Sequence, residues 1–338
     1  MKKILVTGGA GYIGSHFVVK LIDAGYQPII YDDFSNSHKE VLNRIKLITG
    51  QDVECVIGDI RDEKKLNQVF LDNQFDSVVH FAGKKSVGES QREPLLYYSV
   101  NVAGTLSLLN LMKKHKVARI IFSSTATVYG DAGPVALPES SPLGPINNYG
   151  KSKLMAETIM ESIAANDRTW SVCILRYFNP VGAHPSGLIG EDPNGIPANL
   201  MPFISQVAVG KRDFLRIFGN DYGTRDGTGA RDYIHVEDLA NAHIAALHYL
   251  DNNSGFNVFN IGTGQNTTVL EMVNTFSKVN NVNVPYEIQS RRPGDSGICF
   301  ADPSKATKEM GWSAKYGLEE MCRDTWNWQK KNPNGYLG

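Results

Sequence analysis

KILVTGGAGYIG, residues 3–14, is the stretch that decides the fold. Its first residues, Lys3–Val6, predict a short buried strand, and a helical pattern over Ser15–Ala24 follows the turn. The glycines between them fit the pattern G-x-G-x-x-G. Such glycines permit a tight turn and a close approach of the backbone to a pyrophosphate, which the free N–H groups of the helix start can bind. The stretch therefore predicts a dinucleotide-binding βαβ unit.

The composition excludes several classes of protein. Of the 338 residues, 42% are hydrophobic and 20% are charged, so a disordered chain is excluded and about two domains are expected. Lys and Arg (34) balance Asp and Glu (35), for a net charge of −1. This balance predicts neither a nucleic-acid partner nor a membrane partner. It is compatible with an anionic small-molecule ligand, which needs only a local cluster of Arg or Lys.

Cysteine usage bears on the cellular compartment. The four cysteines are scattered, without a CxxC pair and without a histidine at metal-binding spacing. This pattern predicts reduced thiols in a cytoplasmic protein, with no disulfide framework and no metal site. They are Cys55, Cys173, Cys299 and Cys322.

Apolar runs alternate with helical patterns through the first half of the chain. The alternation predicts an α/β fold of Rossmann type, a doubly wound parallel sheet with a smaller α/β C-terminal substrate lobe. We expect residues 1–178 to form a dinucleotide-binding domain and residues 179–338 the second, smaller lobe, with segments that interleave. The further predicted strands are Pro28–Tyr31, Val53–Ile57, Ser77–Phe81, Arg119–Phe122, Ser171–Arg176 and Phe256–Ile261. The further predicted helices are Leu95–Lys114, Ser152–Ala165, Val236–Leu250 and Val269–Val279.

Acidic residues follow two of these strands. Asp32 lies near the spacing of about 20 residues after the last glycine at which a carboxylate binds a ribose 2′-hydroxyl. A carboxylate there would repel the 2′-phosphate of NADP, and no arginine stands beside it, so NAD is the predicted cofactor. Asp59 is expected to accept a hydrogen bond from the adenine amine. The small residues of Phe81-Ala82-Gly83 leave room for the cofactor across the strand ends.

Tyr149 and Lys153 are four positions apart, so on a helix they share a face. Tyrosine, with an ordinary pKa of about 10, is a poor base at neutral pH. A nearby ammonium group is expected to lower the pKa of Tyr149, which could then take a proton from a substrate hydroxyl. Ser123-Ser124-Thr125 ends a predicted strand, where a hydroxyl can hydrogen-bond a reacting oxygen.

Together, these motifs resemble the extended short-chain dehydrogenase/reductase family and, within it, the UDP-glucose 4-epimerases. The similarity runs in order along nearly the whole chain. It includes HFAG at residues 80–83, ATVYG at 126–130, RYFNPVGAHP at 176–185, DGTGARDYIH at 226–235 and DTWNWQ at 324–329.

The resemblance implies a role for each matching residue. Tyr149 would be the base, Lys153 its partner and Thr125 the third catalytic residue, at a position where many relatives have serine. The implied cofactor-binding residues are Gly8, Gly11, Tyr12, Ile13, Gly14, Asp32, Asp33, Phe34, Asn36, Ser37, Asp59, Ile60, Phe81, Ala82, Gly83, Lys85, Asn101, Ser123, Tyr149, Lys153, Tyr177 and Phe178. The implied substrate-binding residues are Thr125, Tyr149, Asn179, Asn199, Leu200, Arg216, Ile217, Phe218, Arg231, Tyr233, Arg292, Asp295 and Cys299. Leu200 and Ile217 fit a place in the core equally well.

The implied reaction is the interconversion of UDP-galactose and UDP-glucose through a 4-keto intermediate, with tightly bound NAD that is not consumed. One alternative is a nucleotide-sugar 4,6-dehydratase, which shares the first step. Dehydratases commonly place an Asp-Glu pair after the strand-end threonine, whereas this chain has Ala126 and Thr127. A second alternative is a non-catalytic dinucleotide-binding regulator, against which the intact catalytic set weighs.

Cys299 bears on substrate width. It stands where relatives carry either a bulky tyrosine or a smaller residue in the sugar pocket. Either the extra room admits the 2-acetamido group of UDP-GalNAc and UDP-GlcNAc, or neighbouring side chains fill it, and the sequence favours neither. The resemblance also implies a homodimer formed by the helix around Leu95–Lys114 and the helix that begins at Ser152.

Overall fold

Strands and helices alternate up to residue 177, as the apolar pattern predicts. The computed structural model describes residues 1–131, 133, 135–195, 197, 199–292 and 297–337. The predicted strands are present, with ends that differ by one to three residues. In chain order the strands are β1 (Lys3–Thr7), β2 (Gln27–Asp32), β3 (Glu54–Ile57), β4 (Ser77–His80), β5 (Arg119–Thr125), β6 (Ala136–Leu137), β7 (Ser171–Tyr177), β8 (Asn179–Val181), β9 (Leu215–Phe218), β10 (Ala230–Arg231), β11 (Tyr233–His235), β12 (Gly255–Ile261), β13 (Thr267–Thr268), β14 (Tyr286–Gln289) and β15 (Ile298–Ala301).

The helices include those predicted from periodicity. The one expected over 95–114 is interrupted by a π-helical segment, Tyr98–Ala103. In chain order the helices are α1 (Tyr12–Asp23), α2 (Glu40–Thr49), α3 (Glu63–Asp72), α4 (Val87–Arg92), α5 (Pro94–Tyr97), α6 (Gly104–Lys114), α7 (Asn148–Asn166), α8 (Leu200–Ala208), α9 (Val236–Tyr249), α10 (Val269–Asn280), α11 (Ser304–Met310) and α12 (Leu318–Lys331), with 3₁₀ turns at Ala126–Tyr129 and Gly335–Leu337.

Seven strands form one parallel sheet in the order β12-β7-β5-β4-β1-β2-β3. From β1 the chain first builds the sheet toward β3, then returns and builds it from β4 in the opposite direction. The strand order therefore reverses between β1 and β4. In open α/β sheets, ligands bind beyond the carboxyl ends of the strands at such a point.

Alternate residues of the central strands feed two hydrophobic clusters on opposite faces of the sheet. On β1, Ile4 and Val6 pack with α1 and α9, whereas Leu5 packs with α3, α6 and α7. The neighbouring strands show the same alternation. Because side chains alternate along a strand, uninterrupted apolar strands place helices on both faces. This confirms the predicted doubly wound sheet.

The second lobe has its own core. Side chains from α8, β9, α10 and α12 form a third cluster that includes Ile204, Phe276 and Met321. Small sheets, β13-β10-β15-β6, β11-β8 and β14-β9, surround it. The chain also returns to the first lobe, since β12 pairs with β7 and α9 packs against α1. Residue 178 is thus only the first crossing between the lobes.

The stretch Pro94–Lys114 is 21 residues long, with a mean hydropathy of 1.3, which meets the length and composition of a membrane-crossing helix. In the fold it comprises α5, the π-helical segment and α6. These segments pack against α7 and α3, so the apolar residues serve in part as core.

A buried ion pair joins α7 to β7. Arg176 and Glu157 are 5% and 3% exposed, and the Arg176 Nη2 atom lies 2.6 Å from Glu157 Oε2. Ser124 also donates a hydrogen bond to Glu157, and Arg176 donates one to the Tyr129 hydroxyl at 3.0 Å. Removal of one member of such a pair leaves an uncompensated charge in the core.

Glu157→Ala is therefore expected to lower the melting temperature by about 5 °C or more, since breaking a buried pair costs about 3–5 kcal/mol. Glu40→Ala is the matched control. It breaks a pair with Arg44 that is 34% and 24% exposed, and a shift within about 2 °C is expected because surface pairs contribute about 1 kcal/mol or less. Differential scanning calorimetry of both variants measures the difference. Equal shifts would contradict the stabilising role of the buried pair.

Candidate active site

A large cavity of about 1590 Å³ lies at the carboxyl ends of β1, β4, β5 and β7, where the second lobe faces the sheet. Apart from Phe34, Asn101 and Asp295, every residue that the sequence analysis assigned to catalysis, cofactor or substrate lines this cavity. Asp295 lies outside the described residues. The fold thus brings the predicted cofactor and substrate positions into one continuous space.

The glycine turn is held by close backbone contacts. Gly8 has a φ of +72°, and a Cβ there would lie 2.6 Å from the backbone N of Ala82. A Cβ on Gly14 would lie 2.3 Å from the carbonyl oxygen of Gly8. Only glycine fits at both positions. The N-terminus of α1, with no side-chain cap, therefore opens directly into the cavity and forms an anion-binding end.

Asp32 ends β2 and braces the glycine turn from the side. Its Oδ2 accepts a hydrogen bond from Ala10 N at 3.0 Å, and its Oδ1 accepts from Phe34 N and the Ser37 hydroxyl, both at 2.9 Å. Burial raises the pKa of this carboxyl, while the three hydrogen bonds lower it. The carboxylate borders the cavity and is positioned for a ribose hydroxyl.

The end of β3 supplies a second acidic residue. Asp59 Oδ1 accepts a hydrogen bond from Arg61 Nε at 2.9 Å, and Arg61 Nη2 lies 2.5 Å from Asp59 Oδ2. The guanidinium holds the pKa of Asp59 below its usual value. Asp59 and Ile60 line the cavity beside Asp33. Because the Asp59 side chain is bound to Arg61, only part of its acceptor capacity remains for an adenine amine.

Two predicted cofactor residues lie behind the cavity wall. Asn101 is buried and donates hydrogen bonds to the Lys84 carbonyl and the Ser152 hydroxyl, both at 3.0 Å, while its Oδ1 accepts from Lys84 N at 2.8 Å. The Phe34 side chain packs against the cluster on the α1 face. Asn101 thus shapes the loop after β4 and Phe34 supports the loop after β2, and neither residue lines the cavity.

The predicted catalytic residues converge on β5 and α7. Asn147 caps α7, its side chain accepting a hydrogen bond from Gly150 N at 2.8 Å, so that Tyr149 and Lys153 both lie in the first turns. The Lys153 Nζ atom donates to the Ser123 carbonyl at 2.8 Å and lies 4.7 Å from the centre of the Phe122 ring. Tyr149 shares a hydrogen bond with Thr125. All of these groups face the cavity except Phe122.

The pKa prediction for Tyr149 is wrong for this arrangement. Burial raises its pKa, and only the hydrogen bond with Thr125 lowers it. The ammonium group of Lys153 is directed to the Ser123 carbonyl, and burial lowers the pKa of Lys153 to about 8. Burial was not visible from spacing along a helix, and it outweighs the expected effect of the neighbouring charge.

Tyr177 and Phe178 follow from β7 into the cavity. Tyr177 is buried and its hydroxyl hydrogen-bonds with His243 on α9, whose pKa burial lowers to about 4. Phe178 packs with Ala126 and Tyr129 in a fourth hydrophobic cluster. These contacts fix an apolar wall next to the catalytic residues.

The second lobe lines the other half of the cavity. Asn179 donates to the Asp232 carbonyl at 3.0 Å from its side chain, and Arg231 on β10 is the register partner of Cys299 on β15. The guanidinium of Arg292 lies over the Phe218 ring at 4.8 Å from its centre. The arrangement places guanidinium groups and an aromatic ring together, as a nucleoside diphosphate requires.

Leu200 and Ile217 could be either core residues or substrate contacts from their sequence positions, and in the structure they lie both in the core and at the cavity wall. Ile217 is 2% exposed and Leu200 is partly buried, and both pack in the core of the second lobe. Both also border the cavity. Tyr233 is similar, since it is buried in the same cluster and burial raises its pKa to about 12.

Several lining residues had no signal in the sequence analysis. Glu191 accepts hydrogen bonds from Lys85 Nζ at 2.8 Å and from Asn199 Nδ2 at 3.1 Å, which links a predicted cofactor residue to a predicted substrate residue. Asp192 and Tyr336 also border the cavity. These residues stand in an irregular loop and at the end of the chain, and no motif spacing marks them. Among the described residues, no cluster of His, Cys, Asp and Glu is placed to hold a metal ion.

Comparison with known proteins agrees with this geometry. Residues 5–325 match the family model described as GDP-mannose 4,6 dehydratase. The UDP-glucose 4-epimerase of Dictyostelium discoideum is 55% identical over 99% of this chain and 97% of its own, and that of Bacillus subtilis is 55% identical over 98% of each. The crystal structure of UDP-glucose 4-epimerase from Bifidobacterium longum in complex with NAD+ and UDP is 48% identical, covers 99% of this chain and 100% of that one, and has a TM-score of 0.95.

The three comparisons agree on one family. The family model spans most of the chain, the relatives match over nearly their full length, and the solved structure has the same fold. The chain belongs to the UDP-glucose 4-epimerase family, within the extended short-chain dehydrogenases/reductases.

Proposed function

We propose that this protein is an NAD-dependent isomerase that interconverts UDP-galactose and UDP-glucose by inversion at C4 of the sugar. The observation that carries the proposal is a single cavity in which Thr125, Tyr149 and Lys153 lie between a dinucleotide-binding turn and the arginines of the second lobe. Full-length relatives at 55% identity bear the same activity in their names. The proposed reaction belongs to nucleotide-sugar and galactose metabolism.

The residues of the first lobe fit NAD. Gly8 and Gly14 have no space for a Cβ, and the backbone of this turn can approach a pyrophosphate at the start of α1. Asp32 offers a carboxylate for a ribose and Asp59 lies toward the adenine side. Lys85 is within reach of a phosphate. NAD, when bound, supplies a reversible acceptor for a hydride.

Side chains of the protein transfer the proton of the sugar 4-hydroxyl. The tyrosinate oxygen of Tyr149 takes the proton from the sugar 4-hydroxyl, becomes the neutral phenol, and returns the proton after inversion. Because burial raises the pKa of Tyr149, the charged form depends on its neighbours. The Thr125 hydroxyl hydrogen-bonds to it and lowers its pKa. Lys153 on the same helix face, whose ammonium is bound to the Ser123 carbonyl, is its proposed partner. Tyr177 and Phe178 exclude water from this end of the cavity.

The second lobe holds UDP and leaves the sugar room to turn. Arg231 and Arg292 suit the diphosphate, and Phe218 with Arg216 suits the uridine. The sugar side is bounded by Cys299, Phe178 and Ala126, and all three belong to one hydrophobic cluster. Firm contacts to the diphosphate and weak contacts to the sugar let either face of C4 meet the cofactor.

The residues after Thr125 argue against a 4,6-dehydratase. Elimination of water across C5 and C6 needs acid and base groups beside the sugar. Ala126 and Thr127 form the 3₁₀ turn that follows β5, and neither can act as a carboxylate. The family model that matches this chain takes its description from a dehydratase, but this turn supplies no carboxylate for the elimination.

Incubation of the purified protein with UDP-galactose, without added NAD, is expected to yield UDP-glucose, which NMR of the sugar anomeric proton detects. Tyr149→Phe should lower turnover by about 10³-fold, because a general base contributes about 10² to 10⁴, and should leave the bound NAD in place. Near wild-type activity in this variant would exclude Tyr149 as the base. No conversion by the wild type, even with NAD supplied, would refute the proposed reaction.

The pH dependence tests the role of Thr125. Its hydrogen bond lowers the pKa of Tyr149, and a base is active only above its pKa. Thr125→Val is therefore expected to move the acid limb of the pH–rate profile to higher pH and to lower turnover at pH 7 by about 10-fold or more. Thr125→Ser, which keeps the hydroxyl, should restore the wild-type profile. An unchanged limb in the valine variant would show that the hydroxyl does not act on Tyr149.

We further propose that the enzyme accepts UDP-GalNAc and UDP-GlcNAc. Cys299 lines the cavity next to Phe178 and Ala126 and is only partly buried. Its register partner Arg231 places it close to the expected diphosphate. A small side chain at this point leaves volume on the sugar side, which supports room for an acetamido group.

Cys299→Tyr is expected to reduce kcat/KM for UDP-GalNAc by about 10-fold or more and to leave that for UDP-galactose largely unchanged, because added bulk rejects only the larger sugar. Cys299→Ser is the control, since its volume is similar. A coupled assay with each sugar measures both values. An equal loss with both substrates would contradict a specificity role for this position.

The oligomeric state and the compartment are further proposals. Leu95, Leu106 and Met155 are 81%, 40% and 46% exposed on helical segments that neighbour one another, α5, α6 and α7. Apolar side chains exposed in this way support a homodimer formed by these helices. The four cysteines are free, which supports a reducing, cytoplasmic location.

A further inference from the structure

Residues 190–194, which we call the strap, run along the cavity at its dinucleotide end. Every one of them lines the cavity, together with Ser35, His38 and Lys85 of the first lobe. The strap belongs to the irregular stretch after β8, yet it makes contacts with first-lobe loops on both sides of the glycine turn.

On one side the strap contacts the loop after β2. Asn194 Nδ2 donates to the Ser35 carbonyl at 3.3 Å, and Asp192 Oδ2 lies 3.4 Å from His38 Nε2. On the other side Glu191 Oε1 lies 2.8 Å from Lys85 Nζ, in the loop after β4. Because β1 lies between β2 and β4 in the sheet, these contacts bridge across the end of β1, where the glycine turn begins.

Tyr336, near the end of the chain, binds the strap through three hydrogen bonds. The Tyr336 hydroxyl donates to the Gly190 carbonyl and accepts from Gly190 N, both at 3.2 Å. Tyr336 N donates to Asp192 Oδ2 at 2.9 Å. The Tyr336 ring lies 4.7 Å from Trp328 and 5.7 Å from His38, measured between ring centres.

The fit between strap and chain end leaves no spare room. A Cβ on Gly190 would lie 2.4 Å from Cγ of Trp328. Gly335 has a φ of +79°, and a Cβ there would lie 2.2 Å from Asp192 Oδ2. The Gly190 backbone therefore packs directly against the Trp328 ring, and the Gly335 backbone packs against the Asp192 carboxylate. These contacts fix the position of the strap.

We propose that the strap retains the dinucleotide, and that Asp192 and Tyr336 are positioning residues that hold the strap across it. The inference rests on the proposed function. A cofactor that is regenerated in every turnover need not leave, whereas the UDP-sugar must exchange. The strap contacts the loops after β2 and β4 on both sides of the glycine turn and reaches the second lobe through the hydrogen bond from Asn199 to Glu191. Lys85 offsets the charge of Glu191, so this carboxylate does not repel a pyrophosphate.

Release of NAD tests the proposal directly. NAD-loaded wild type, Tyr336→Phe and Asp192→Ala are passed through gel filtration, and the NAD that leaves is converted by excess alcohol dehydrogenase and ethanol to NADH and measured. Each variant loses hydrogen bonds between the strap and the end of the chain. Release of NAD is therefore expected to be about 10-fold faster or more. Tyr249→Phe is the matched control, because its hydroxyl donates to Asn257 at 3.1 Å away from the cavity, and wild-type release is expected.

The outcomes separate the strap from the activity. Faster release with activity that added NAD restores is the expected result. Release within two-fold of wild type in both folded variants would overturn the proposal, as would a lowered melting temperature without faster release. If either variant fails to fold, His38→Gln loosens the strap from the exposed side, and unchanged release there overturns the proposal. A wild type that carries NAD but does not epimerise would refute only the proposed function.

Discussion

The approach of α1 to the end of β1 is the contact on which the site depends. A single Cβ at Gly14 would meet the Gly8 carbonyl at 2.3 Å, so the helix can start where it does only because both residues lack a side chain. This places the helix N-terminus at the reversal of strand order, where the carboxyl ends of β1 and β4 part. The cofactor half of the cavity, the carboxylate of Asp32 and the loop that holds Lys85 are all arranged around that point.

The first lobe was predictable because its signals are local. Each central strand is an apolar run, and alternate residues such as Ile4 and Leu5 must bury on opposite faces of the sheet. The second lobe offers no such signal, since β10 and β13 have two residues each. Its strands are defined by pairing with distant parts of the chain, and sequence periodicity cannot reveal pairs of this length.

Motif spacing predicted that Tyr149 and Lys153 lie together, but not their electrostatics. That Tyr149 and Lys153 share a helix face follows from four-residue spacing, whereas the effect of burial on both groups depends on packing by other elements. The resemblance to the family placed Asn101 with the cofactor, and sequence alone could not show that its side chain holds the loop after β4. Tyr336 and Gly190 are 146 positions apart, and no local pattern could have joined them.

The number of residues in the π-helical segment Tyr98–Ala103 is fixed by the packing of the helix that follows it. The wider turn of this segment accommodates a residue more than an α-helix would over the same rise, and Asn101 uses that turn to reach both the Lys84 backbone and Ser152. Loss of one residue here would tighten the segment to α-helix and rotate all that follows by about 100° relative to what precedes. Leu108 and Met112 would then leave the sheet face. This segment should accept substitutions far more readily than deletions or insertions.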